Sequence, residues 1–148
     1  MVATLRQILL TPDTKPKVIA DCHALIEREI SDKSGISGTA VKLAYKTVTS
    51  FAPSYYDNKV KVLVPQMVDK LEPFWADFST SGSSEFGDYL VKRGGEVSDA
   101  LLSVTDGFAT RSKRPVILRA YRSVRGSATK NVEAALPRLG EMVLKYTG

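Results

Sequence analysis

The stretch KSGISGTAVK, Lys33 to Lys42, decides the fold, because its two glycines, small hydroxyl side chains and lysines are the materials of a phosphate cradle. Read as a P-loop, it would demand a strand before it and an α/β architecture around it. The pattern GxxxxGK[ST] is not met: the glycines stand three apart and no lysine follows the second. GISG also fits the GxxG clamp of KH domains, which needs a neighbouring three-stranded sheet. What precedes the stretch is helical, so the better reading is a helix stop, a turn and a helix start.

The preceding segment, VIADCHALIEREI at 18–30, places Val18, Ile19, Cys22, Leu25, Ile26 and Ile30 at spacings of three and four, which is one stripe of a helix. Thr14 is its expected cap, with Pro16 in the first turn, and Gly35 the expected left-handed stop with Ile36 folding back on Ile30. Ser37 would then cap a second helix carrying Val41, Ala44, Tyr45 and Val48 on one face and Lys42 and Lys46 on another. That helix ends near FAPS, since Pro53 disfavours helical geometry at Ala52. A third runs from Ser54 through Leu71, with a kink or restart expected at Pro65 and again at Pro73. The Gly/Ser stretch STSGSS at 79–84 is the clearest loop.

Beyond it the pattern recurs. VKLAYKTV at 41–48 lies over ILRAYRSV at 117–124, ALI at 24–26 over ALL at 100–102, and VKVLVPQMV at 60–68 over VEAALPRLG at 132–140. No alternating, strand-like segment interrupts this. The expected fold is therefore all-α, one compact bundle of six to eight helices over 1–148, with an internal repeat of 14–72 and 92–146 as two pseudo-symmetric three-helix halves. The aromatic segment 73–90, with Phe74, Trp75, Phe78, Phe86 and Tyr89, would join them as the main core or a dimer seam.

Composition agrees with a folded chain: of 148 residues, 43% are apolar and 25% charged, enough apolar surface for one packed core. Neither a secretory leader nor a membrane span is apparent, and a single cysteine, Cys22, permits no intrachain disulfide, so a cytoplasmic protein is expected. One histidine and one cysteine point to no metal site and to no cofactor.

Charge is uneven. Residues 1–106 sum to −2 and residues 107–148 to +7, within a net charge of +5. The basic part centres on RSKRPVILRAYRSVR, where Arg111, Lys113 and Arg114 approach a helix bearing Arg119, Arg122 and Arg125 at every third position. Such a row suits an acidic protein or a nucleic-acid backbone, or pairs with acidic residues of the first half. At the Lys33–Lys42 turn, the amides near Gly38 and Thr39, the Ser37 and Thr39 hydroxyls and Lys42 are the candidate anion-binding groups, against the plainer account by capping alone. His23 flanks its apolar stripe as a boundary residue, whereas Glu29 falls on the apolar face and calls for a basic partner. No catalytic constellation emerges.

SDKSGISGTAVKLAYK, LEPFWADF, ALLSVTDG and AALPRLGEMV together resemble a family of small, uncharacterised, soluble all-helical actinobacterial proteins. The resemblance implies a bacterial, cytoplasmic origin and brings no activity, cofactor or site residues. The leading expectation is a non-catalytic interaction or scaffold protein, a homodimer being among its forms, whose basic C-terminal half meets an acidic surface. Nucleic-acid binding through the arginine row, or small-anion binding at the Lys33–Lys42 turn, is the alternative.

Overall fold

The computed structural model describes residues 3–147 except Ser34 and Ala52; the side chains of 35–37 and of Phe51 also lie outside the described residues. Eight helices are present among the described residues and no strand: α1 Leu5–Leu9, α2 Lys15–Ser31, α3 Gly35–Phe51, α4 Pro53–Thr80, α5 Phe86–Lys92, α6 Gly94–Arg111, α7 Pro115–Arg125 and α8 Ala128–Lys145. No described helix is long and apolar enough to cross a membrane.

The short α1 begins with a capping box: Gln7 N donates to Thr4 Oγ1 and Thr4 N donates to Gln7 Oε1. Leu5 and Leu9, one turn apart, are fully buried against α4. Two polar anchors hold the element down, Leu5 N donating to Glu72 Oε2 at 2.7 Å and Trp75 Nε1 to the Ala3 carbonyl at 3.0 Å.

The junction of α2 and α3 corrects the expected capping. Thr14 precedes α2, but its hydroxyl pairs with Thr11 Oγ1 at 2.6 Å and makes no side-chain cap. Asp32, with helical φ −83° and ψ −9°, closes α2. Gly35 is already the first residue of α3 and is not left-handed, and Ser37 sits inside the first turn instead of capping it. The fold-back of Ile36 on Ile30 and the Ser37 hydroxyl lie outside the described residues. Among the described residues only Gly82, in the 79–84 loop, has a positive φ, at +79°.

Pro65 and Pro73 do not break α4, which runs unbroken from Pro53 to Thr80. A helical proline removes the bond to the carbonyl four residues earlier. Those carbonyls belong to Lys61 and Asp69, both exposed, where water can serve them; Pro137 in α8 likewise relieves exposed Glu133.

The core runs through the aromatic segment. Trp75, Phe78 and Phe86 are buried with ring centroids 5.0–5.5 Å apart, and half-buried Tyr89 closes the cluster. α5 then lies tightly on α8 with glycine on both sides, since a Cβ built on Gly140 would sit 2.2 Å from Gly87 N.

Helices of the two halves interleave: α3 packs on α7, α4 on α6 and α2 on α8. Exchanging α1–α4 with α5–α8 in order turns the α1/α4 contact into α5/α8, α2/α4 into α6/α8 and α2/α8 into α6/α4, while α3/α7 maps onto itself.

Candidate ligand cavity

Where the interleaved stripes meet, they do not close completely. α2, α3, α4, α6, α7 and α8 enclose a cavity of about 490 Å³, within the ~300–1,000 Å³ span of small-molecule pockets. Ile26, Val48, Leu63, Leu102, Val124 and Met142 supply one wall residue from each helix, and the surface they present is almost wholly carbon. Small residues on facing helices, Ala44, Ala120 and Ala135, keep the space open.

Two polar clusters flank it. On one side Tyr121 bonds with Thr105 Oγ1 at 2.9 Å and with Asp106, and Asp106 accepts from Arg125 Nε at 2.8 Å and Nη2 at 3.0 Å. The Arg125 hydrogen bonds, and then that of Tyr121, hold the Asp106 carboxyl below its ordinary value. Burial, and then the Asp106 contact, push the Tyr121 phenol up. On the other side Tyr45 donates to Glu27 at 3.4 Å and meets the Tyr56 ring edge-on at 5.6 Å. His23 packs on Tyr56 at 5.3 Å with Nε2 3.9 Å from Asp57 Oδ1, consistent with a boundary position. Burial raises the Tyr56 phenol, and burial together with Asp21 pushes the Cys22 thiol up to about 11. Burial thus favours the neutral form of the wall groups Cys22, Tyr56 and Tyr121.

At a partly exposed edge of the cavity, α4, α6 and the segment before α7 bring together Tyr55, Lys59, Phe108 and Arg114. Lys59 Nζ lies 5.3 Å from the Tyr55 ring centroid and 5.4 Å from that of Phe108, and Arg114 Cζ lies 4.3 Å from Tyr55. Tyr55 and Lys59 are one turn apart on α4, which is why both reach the same edge.

The residues singled out from sequence disperse. Gly38 is buried against Lys33, whose carbonyl carbon would meet an added Cβ at 2.9 Å, so the chain's own backbone fills the Lys33–Lys42 turn. Thr39 is exposed and engaged with a neighbour, and Lys42 is exposed. In the arginine row on α7, Arg125 pairs with Asp106 while Arg119 and Arg122 are exposed; Arg111 at the end of α6, and Lys113 and Arg114 ahead of α7, are exposed as well. Pairing with the acidic half uses α8 more than α7. Arg138 donates to Glu29 at 2.8 Å and to Asp32 at 2.5 Å, and Lys145 to Asp21 at 3.0 Å. Glu29 thus has the basic partner its position called for, with Lys33 a second at 3.6 Å.

The cavity was not foreseen. Each stripe is visible in the sequence, but six stripes converging with alanines at the narrow points is a property of their packing. The Tyr55/Lys59 pair, four residues apart, was the one local signal of its edge.

A model for a family of unknown function, DUF6918, matches residues 5–147. No curated protein and no solved structure matches the chain.

Proposed function

Since the chain belongs to DUF6918, a family of unknown function with no activity to transfer, we propose from its own geometry that it is a non-catalytic binding protein that holds an apolar small molecule between its helices. The observation that carries this is the cavity of about 490 Å³ with a carbon wall drawn from six helices. Cavity formation costs about 24 cal/mol per Å³, so a ligand filling a third of that volume recovers about 4 kcal/mol. Apolar burial of this kind needs no directed bond, which suits a wall whose flanking Tyr45 and Tyr121 are committed to Glu27 and Asp106.

The test uses the neutral fluorophore N-phenyl-1-naphthylamine. Saturable emission enhancement is expected with the intact protein and is expected to fall sharply in Ala44→Phe and in Ala135→Phe, which fill the cavity from opposite helices. Absence of saturable enhancement, or enhancement that survives both substitutions in variants of unchanged helicity, overturns the reading.

A further inference from the structure

The cavity edge carries charge of one sign. Lys59 and Arg114 share the Tyr55 ring, and neither forms an ion pair with a carboxylate among the described residues. The nearest acidic side chain in sequence to Phe108, Asp106, is committed to Arg125 and Tyr121. Lys113 adds a further cation to the short segment that leads into α7.

An ammonium and a guanidinium stacked on the same aromatic group are held in place with their donors still available. The guanidinium offers a planar fork and the ammonium a point charge, a pair that together suits a carboxylate. Immediately inward from them the wall turns to carbon, with Leu63 one turn beyond Lys59 on α4.

We propose that the ligand is a single-chain anionic amphiphile, its hydrocarbon tail in the cavity and its carboxylate head between Lys59 and Arg114. This rests on the cavity reading above and adds to it the polarity and orientation of the occupant. A cationic head would be repelled at this edge, and a neutral head would leave both donors to water.

Three probes of equal chain length separate the cases: dodecanoate, 1-dodecanol and dodecyltrimethylammonium, titrated calorimetrically into the intact protein at neutral pH, the two ions below their micellar concentrations and the alcohol below its solubility limit. Dodecanoate is expected to bind about tenfold more tightly than dodecanol, the worth of one charge-assisted hydrogen bond, and the cation more weakly than either. In the double variant Lys59→Met with Arg114→Gln, the dodecanoate affinity should fall to that of dodecanol while dodecanol affinity stays unchanged. Dodecanol binding at least as tightly as dodecanoate to the unaltered protein overturns the head-group assignment and needs no variant. So does uptake of N-phenyl-1-naphthylamine without dodecanoate. Failure of the fluorophore, as above, overturns the cavity reading itself and this assignment with it.

Discussion

An alanine at position 140 would place its Cβ 2.2 Å from Gly87 N and 2.3 Å from Gly87 Cα, both backbone atoms of α5 that cannot rotate away. Gly140→Ala is therefore expected to destabilise the protein by about 3 kcal/mol, the upper end of overpacking costs, because α5 must lift from α8. Gly95 is the control: it lies in α6 with nothing within 4 Å of an added Cβ, so Gly95→Ala should stabilise by about 0.5–1 kcal/mol through the unfolded chain. Urea unfolding of both variants reads the contrast. Nothing local in AALPRLGEMV distinguishes Gly140 from a tolerated helical glycine; its role exists only because Gly87 faces it. Glu29 is the opposite case, legible in advance because a carboxylate on an apolar stripe states its own need for a partner.

At the scale of elements, periodicity located α2 and α3 and the end of α3 at Pro53, and the Gly/Ser run located the break after α4. It missed α1 and α5. A five-residue helix has too few turns for a stripe, although the T-x-x-Q box at Thr4 was its visible signature. No restart occurs at the prolines of α4 because the cost of a lost bond depends on whether the freed carbonyl reaches water, which a sequence pattern does not show. Joints between helices also carry pH dependence. The folded-state value of Asp106 is lowered, so its pairing with Arg125 on α7 contributes stability fully above the ordinary carboxylate value and loses it as pH falls through the lowered one. The urea midpoint should therefore drop below about pH 4, and Asp106→Asn should show a shallower drop from a lower plateau at neutral pH. Asp32 and Asp69, lowered first by hydrogen bonds from Arg138 and Arg6, keep part of the slope in that variant.

For the whole molecule, we propose that α1–α4 and α5–α8 are related by a pseudo-twofold axis passing near the α3/α7 contact, so that each half carries four helices and not three. Supporting this are the reciprocal contacts of the exchanged helices, and Pro65 and Pro137 lying inside α4 and α8 at matched positions. Tyr45 and Tyr121, aligned in the two segments compared above, each bond a carboxylate of the preceding long helix. Interleaving predicts what a cut will do. Fragments 1–82 and 83–148, divided in the loop at Gly82, should each show reduced helicity alone and regain it on mixing as a 1:1 complex, measured by circular dichroism and light scattering. Two fragments that fold independently and ignore each other would contradict the contacts of α2 with α8 and α4 with α6. The same interleaving bears on biosynthesis. As the chain leaves the ribosome, α2 and α4 emerge long before α8 and α6 can cover them, so their apolar faces stay uncovered until the final helix has been made.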